Sequence, residues 1–271
     1  MISLDWKDRI EIDTIDFVER KLPKNDYDID IIYNAYPERI DGKIPKEIIS
    51  FTAKIIASKI SKNIDKYMEF YKYLWDKKGE NGRIIAVYIV AKGITKKKPV
   101  FIDFTKEILF SADNIHDTSL VLDKIVYPIL KKDYSHNIDK IFEWLKDGKE
   151  PVKLGIAKLL IKLCKSNSEM MISLFKKFES SWLYADADMI KVNISFLKAV
   201  ATSDKDYYLR VYVNYQNTRN PIFVEILSGA IVIYDDIINT AVEHWVKSGN
   251  ARLKRAALAG QKTLNRKKRS K

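Results

Sequence analysis

The spacing of apolar residues constrains this chain most, because it follows the period of an α-helix almost throughout. One stripe runs from Ile64 to Trp75 in steps of three, one, three, three and one residues, and others cover 115–130, 152–163, 170–178 and 237–246. Only nine Gly and seven Pro are present, too few for a sheet protein with its frequent turns. We predict an all-α fold of about twelve helices, Arg83–Val90 included, with Tyr27–Tyr33 as the one possible short strand.

A Trp-x-x-x-Gly motif occurs near the end of three of these helices. It spans Trp75–Gly79, Trp144–Gly148 and Trp245–Gly249, and each glycine is placed to end its helix in the left-handed conformation. The tryptophans are 69 and 101 residues apart, close to two and three helix-pair repeats of about 34 residues. The pattern predicts a right-handed solenoid of antiparallel helix pairs, HEAT-like or ARM-like, with these tryptophans in its core.

The same pattern suggests how the chain is organised. We expect an N-terminal cap over residues 1–44, the repeat domain over 45–265 and a basic tail over 266–271. Helix starts are indicated by first-turn prolines and N-cap residues at Pro45, Asn114, Asn137, Pro151, Asp204, Asn220 and Pro221.

Charge and composition limit the function classes. The net charge of +12 and pI near 9.4 favour phosphate-bearing or acidic partners, and nine basic residues without an acid lie between Arg252 and Lys271. A single cysteine, Cys164, excludes an internal disulfide and suits a small buried hydrophobe. With only three histidines, a zinc site is not expected, nor is a cofactor. The longest apolar run, Ile84–Ala91, is too short for a bilayer, and the acidic start is unlike a signal peptide. We therefore expect a cytoplasmic protein without membrane contact.

Four segments, in this order, resemble motifs of the HEAT-like-repeat DNA alkylation repair glycosylases. They are Trp75-Asp-Lys-Lys-Gly with Arg83-Ile-Ile-Ala-Val, then Asn114-Ile-His-Asp-Thr, then Glu150-Pro-Val-Lys-Leu-Gly-Ile-Ala, and finally Asp188-Met-Ile-Lys-Val-Asn-Ile-Ser-Phe-Leu. The resemblance covers roughly Pro45 to Leu264. It implies a helical-repeat fold that binds duplex DNA and removes alkylated bases without a cofactor.

The departures from that family fall in its base-binding pocket. The family combines carboxylates, aromatic side chains and an arginine. Asp117 matches a carboxylate, but His116 and Phe196 stand at tryptophan positions and Leu120 at that of a second acid. The expected arginine falls near Gly155, with only Lys153 close by. By this resemblance Asp117 is the candidate catalytic acid, with Lys153 and Phe196 as DNA contacts. Since lysine lacks the planar grip of arginine, we expect base excision to be weak or absent.

Asp117 also has a structural interpretation. If Asn114 is the N-cap of the next helix, Asp117 stands three residues later, where an acid caps the helix and meets its dipole. Catalysis and capping both stay open for this carboxylate at the level of sequence.

Further candidate contacts lie in the C-terminal half. Tyr208, Tyr212 and Arg210, together with Tyr207 and Tyr215, combine aromatic and cationic side chains that can stack on bases, although helix packing explains the tyrosines equally. Arg252, Lys254 and Arg255 form a phosphate track if they share a face with Lys96–Lys98 and with Lys131 and Lys132; otherwise these charges only serve solubility. The first hypothesis is a duplex-DNA-binding protein with little sequence preference. The alternative is a scaffold that binds an acidic protein.

Overall fold

The described part of the chain consists of helices joined by turns and loops. The structure, a computed structural model, describes residues 6–34, 36, 39–95 and 100–270. Across those ranges there is no strand, only an isolated bridge between Ile40 and Lys43. The predicted all-α class is confirmed. Tyr27–Tyr33 is not a strand, because Ile29–Tyr33 forms a 3-10 helix.

The chain divides into two compact units, Met1–Asn137 and Ile138–Lys271. The first contains α1 (Trp6–Asp16), α2 (Lys46–Lys59), α3 (Met68–Lys77), α4 (Gly79–Thr95), α5 (Val100–Ser111), α6 (Ile115–Val121) and α7 (Tyr127–Lys132). Shorter turns connect them: π-helical at Phe17–Lys21 and Leu122–Val126, and 3-10 at Leu22–Lys24, Ile29–Tyr33 and Ile64–Tyr67.

The division falls within helix α8 (Tyr134–Asp147), and the second unit continues with seven more helices. These are α9 (Glu150–Cys164), α10 (Ser168–Glu179), α11 (Ala187–Ser203), α12 (Lys205–Tyr215), α13 (Pro221–Gly229), α14 (Asp236–Val246) and α15 (Ala251–Arg269), with a 3-10 turn at Trp182–Tyr184. Short helices such as α6 and α7 raise the number above the dozen expected from periodicity. Residues on both sides of the expected boundary after 44 pack together, since α1 contacts α2, and α15 runs past residue 265 through Arg269.

In the first unit, α4 is the central helix. It packs against α2, α3 and α5 and against Leu122–Val126, and its apolar residues Ile84–Val90 are almost all buried. The approach of α3 is close: a Cβ on Gly82 would lie 2.2 Å from the carbonyl oxygen of Leu74. Arg83–Val90 is thus part of a helix with its apolar residues buried, as predicted.

In the second unit, helices two apart along the chain pack against each other. Helix α11 contacts α9 and α13, α15 contacts α13, and α12 contacts α14. Consecutive helices, such as α10 with α11 and α14 with α15, also pack together. The core includes Trp144 and Trp245, which are buried as predicted, as is Trp75 in the first unit.

The helix ends match the sequence prediction in part. Asn114, Asp204 and Asn220 are N-caps whose side chains accept backbone N–H groups, whereas Asn137 lies inside α8. Pro45 directly precedes α2, and Pro151 and Pro221 lie in first turns.

Of the three motif glycines, only Gly79 adopts the left-handed backbone, with φ of 57°. Gly148 serves another purpose, because a Cβ there would meet Val152 at 2.7 Å. Gly249 is neither left-handed nor crowded, so nothing in the structure explains it.

Candidate functional site: the Asp117 ion pair and the basic face of the last helix

Asp117 takes part in a reciprocal cap at the start of α6. The side-chain oxygen of Asn114 accepts the backbone N–H of Asp117 at 2.9 Å, and the Asn114 amide donates to Asp117 Oδ2 at 2.6 Å. Only 3% of Asp117 is exposed. The carboxylate therefore occupies the third helical position that the capping interpretation assigned to it.

Arg83 is the partner that sequence reasoning missed. Its guanidinium, on α4, forms an ion pair with Asp117 Oδ2. The same group lies 5.7 Å from the ring centre of Trp75, and its Nε donates to the Trp75 carbonyl at 3.4 Å. Trp75 in turn donates its ring N–H to Ser111 at 2.8 Å. These contacts hold the acid from one side while Asn114 holds it from the other.

This arrangement limits the chemistry of Asp117. A carboxylate that stabilises a developing sugar cation has to face the substrate with its charge uncompensated. Here one oxygen accepts from both Arg83 and Asn114, and the side chain is nearly inaccessible. The geometry serves to fix the start of α6 against α4.

A second charge cluster lies beside this pair at the surface. Glu80 accepts from Lys46 at 2.7 Å, with Lys43 at 3.7 Å and the ring nitrogen of His116 at 3.3 Å. The hydrogen bond from Lys46 lowers the pKa of the Glu80 carboxyl. His116, which occupies the position of an aromatic residue in the resembled family, is thus an exposed member of an ion-pair cluster.

Lys153 is not available to a phosphate. It is only 7% exposed, and its ammonium lies 2.8 Å from Asp186 Oδ2. The other oxygen of Asp186 accepts the backbone N–H of Met189 and caps α11. The hydrogen bond from Lys153 lowers the pKa of Asp186. The prediction that Lys153 contacts DNA is corrected by its burial in this pair.

Phe196, Tyr208 and Tyr212 are also fully buried, so the prediction that they stack on bases conflicts with the fold. Phe196 stacks on Phe178, with ring centres 4.1 Å apart. The Tyr208 and Tyr212 hydroxyls lie 3.1 Å apart, and each also donates to a backbone carbonyl. Burial raises the pKa of Tyr208 to about 12. Arg210 does remain exposed, 5.5 Å from the ring of Tyr207.

Helix α15 carries the most basic surface of the second unit. One face is buried against α13 and α14 through Leu253, Ala257, Gly260 and Leu264. A Cβ on Gly260 would lie 2.9 Å from Ser228, so α13 and α15 approach closely. All the Lys and Arg side chains of this helix are exposed.

Four of these cations form a stripe directly opposite the buried face. The steps from Arg255 to Lys262, Arg266 and Arg269 are seven, four and three residues, the spacing of one helix face. Among the predicted contacts, Lys254 and Arg255 have no ion-pair partner in the described residues, whereas Arg252 pairs with Glu225 at 2.8 Å. This alignment includes Arg266 and Arg269 because α15 continues through the residues expected to form a tail.

The other predicted basic clusters do not extend this stripe within the second unit. Lys131 and Lys132 are exposed in the last turn of α7, in the first unit, and Lys96–Lys98 lie outside the described residues. An open groove of about 610 Å³ in the second unit is lined by Phe142, Phe178 and Met189. Because its rim carries both acids and lysines, the groove favours neither anionic nor cationic ligands.

Comparison with models of known protein families, with characterised proteins and with solved structures finds no match for this chain. Within the described ranges, no helix combines the length and apolar character needed to cross a membrane. No cluster of three or more potential metal ligands occurs in that same part of the chain.

Proposed function

We propose that this protein binds duplex DNA through its phosphate backbone, with the solvent face of α15 as the principal contact. The observation that carries the proposal is the stripe of Arg255, Lys262, Arg266 and Arg269 on a helix that contains no acid. The stripe extends over about 21 Å, a length of duplex that carries roughly a dozen phosphates. Backbone contacts of this kind convey little sequence preference.

The helical-repeat part of the proposal draws on packing within the second unit. Contacts between helices two apart, as in α9 with α11 and α11 with α13, are those expected when helix pairs stack. Together with the resemblance to the DNA alkylation repair glycosylases, they support a HEAT-like solenoid that is a divergent member of that group.

Titration of a fluorescent duplex at increasing salt tests the proposal. We expect the logarithm of the association constant to fall steeply with the logarithm of salt concentration, because each neutralised phosphate contributes a slope of about 0.9. Replacing all four stripe cations by glutamine should reduce that slope by up to about 3.6.

The matched control replaces Lys140, Lys158, Lys176 and Lys205 by glutamine. These four lysines are exposed elsewhere in the second unit, so the two variants carry the same net charge. Equal salt slopes for the two variants would show that the location of the four cations on α15 does not matter for DNA binding. Absence of binding by the wild type at low salt would end the DNA proposal.

Within this proposal, excision of alkylated bases is weak or absent, because Asp117 is buried and paired with Arg83. Incubation with methylated duplex should release no 7-methylguanine or 3-methyladenine above the uncatalysed rate. Robust release, lost in Asp117→Asn while DNA binding persists, would instead identify Asp117 as the catalytic acid.

An acidic protein is the second candidate partner, and Leu258 is the observation that favours it. This leucine is 45% exposed on the basic side of α15, and an apolar contact amid cations suits a protein surface better than a phosphate backbone. Leu258→Ser should leave duplex binding unchanged if DNA is the partner. Capture of a poly-glutamate peptide in preference to the duplex, weakened by Leu258→Ser, would favour the scaffold.

A further inference from the structure

The open groove of the second unit is lined by residues of α8, α10 and the start of α11. Its apolar lining includes Phe142 and Phe178, with ring centres 4.8 Å apart, and Met189. Tyr184 also lines it, from the 3-10 turn between α10 and α11, and is 84% exposed. No other large apolar side chain in the described ranges is as exposed, and Leu183 beside it is 51% exposed. A protruding aromatic side chain thus adjoins a groove that has aromatic walls.

Most charged residues that line this groove are already paired within the chain. Asp139 and Lys177 form an ion pair at 2.6 Å, and Asp186 belongs to the buried pair described above. Glu143 and Lys146 are the exceptions, because both are exposed on α8 and neither has an ion-pair partner among the residues that the structure describes. The groove therefore offers one acid and one base, three residues apart, to an external partner.

Charge is divided unevenly between alternate helices of the second unit. Helices α9, α11, α13 and α15 contain thirteen Lys and Arg residues and three acids, whereas α8, α10, α12 and α14 contain six Lys and Arg residues and eight acids. Two copies of a chain with a net charge of +12 repel each other. That repulsion is weakest where the local charge is near zero, as it is around the groove on α8 and α10.

We infer that this groove is the interface of a two-fold symmetric homodimer. Both copies use the same surface in such an interface, so Tyr184 of each copy enters the groove of the other. Glu143 of each copy then faces Lys146 of the other, and this ion pair is made twice. A second copy fits the mixed charge of the rim, because it brings an acid, a base and an exposed tyrosine, a side chain enriched in protein interfaces. The inference goes beyond DNA binding and does not depend on it.

Sedimentation equilibrium without DNA, at physiological ionic strength, tests the interface. We expect a monomer–dimer equilibrium for the wild type. Tyr184→Ser should raise the dissociation constant of the dimer by about tenfold or more, as expected for an aromatic side chain buried in an interface. The matched control, Val213→Ser, removes a side chain that is 45% exposed on α12 of the same unit and should leave the dissociation constant unchanged.

Charge reversal tests the pairing between the two copies. Glu143→Lys and Lys146→Glu should each weaken the dimer, although they change the net charge in opposite directions, because each places like charges opposite one another. An equimolar mixture of these two variants should dimerise again, since every lysine of the pair then faces a glutamate. The double variant Glu143→Lys, Lys146→Glu, whose net charge equals that of the wild type, should dimerise for the same reason.

A wild type that stays monomeric at about 0.1 mM, where a complex of micromolar affinity is mostly formed, would overturn the inference. So would a dimer that Tyr184→Ser and both charge reversals leave intact in chains shown to be folded by circular dichroism, because its interface would lie elsewhere. Failure of both the mixture and the double variant to dimerise would contradict the two-fold pairing. Since no step uses DNA, failure of the proposed function leaves each of these outcomes unchanged.

Discussion

Each unit contains a cation–carboxylate pair in which one side chain is buried and the acid lies at the start of a helix, but the buried partner differs between the two pairs. In the Arg83–Asp117 pair the side chain of the acid is 4% exposed and that of the cation 32%. In the Lys153–Asp186 pair the lysine is 8% exposed and the acid 59%. Because an unpaired charge costs most where water cannot reach it, the first pair depends on its arginine and the second on its aspartate.

The two pairs occupy equivalent positions in the sequence. Asp117 and Asp186 are 69 residues apart, as are Trp75 and Trp144, and the cations Arg83 and Lys153 are 70 apart. Each cation reaches an acid a similar distance further along the chain, by 34 and 33 residues. Because such an ion pair occurs in both units, its simplest role is to stabilise the fold. This argues against a special catalytic role for Asp117.

The largest effect is expected when the buried carboxylate loses its cation. Arg83→Met should destabilise the protein by about 3 kcal/mol, the low end for breaking a buried pair, because Arg83 itself is partly exposed. Urea unfolding at neutral pH measures the change. Adding Asp117→Asn in the same chain should restore most of the stability, since it removes the stranded charge. A loss below about 0.5 kcal/mol for Arg83→Met would mean that the ion pair behaves as a surface contact.

The reverse removal, Asp186→Asn, should cost about 2 kcal/mol. Asn caps a helix as well as Asp, but Asp186 uses one oxygen for the cap and the other for Lys153. An amide that keeps the cap turns its NH₂ toward the lysine, so a buried ammonium is left without an acceptor. Asp186→Ser also caps the helix but carries no NH₂. It therefore removes the carboxylate charge without placing a second donor against the Lys153 ammonium.

This pair also predicts a pH dependence with a definite sign. The pKa of Asp186 is lowered in the folded protein, chiefly by the hydrogen bond from Lys153. Its stabilisation is therefore complete above the unfolded value of about 3.9 and is lost as pH falls through the folded pKa. In acid unfolding curves, the difference between wild type and Asp186→Asn should shrink below about pH 4. A difference that stayed constant to pH 2 would show that ionisation of Asp186 contributes nothing.

The helices and part of the candidate site could be predicted from sequence. Periodicity identified the helices, including Arg83–Val90, and local cap chemistry placed Asp117 three residues after Asn114. Periodicity cannot, however, tell which apolar face a neighbouring helix covers. Sequence therefore offers Phe196 as a DNA contact and leaves Tyr208 open between base stacking and helix packing, whereas both are fully buried. The partner of Asp117 lies 34 residues away, beyond the reach of local sequence rules.

The basic residues of 266–271 suggest a tail because charge density by itself carries no information about packing. Leu264 is fully buried, and α15 continues from it through Arg269. The basic residues of the last turn also suit the negative end of the helix dipole.

A smaller effect is expected for Asp117→Asn, about 1 kcal/mol. Both Arg83 and Asn114 donate to the same oxygen of Asp117, so an asparagine that places its carbonyl there keeps both hydrogen bonds. Arg83 loses its charged partner but can be solvated. The loss should be clearly smaller than for Asp186→Asn when both are measured by urea unfolding, and the opposite order would contradict the inverted burial of the two pairs.

The smallest effect is expected for Lys153→Met, within about 1 kcal/mol of the wild type in either direction. Methionine retains most of the volume of the buried lysine stem and removes the charge that is costly to bury. Asp186 keeps its cap to the Met189 N–H and is exposed enough for water to solvate the freed oxygen. Lys153→Ala, the matched control, also removes the stem and should cost more, because it leaves a cavity. If methionine and alanine destabilise equally, by more than about 2 kcal/mol, the ammonium rather than the stem stabilises this site.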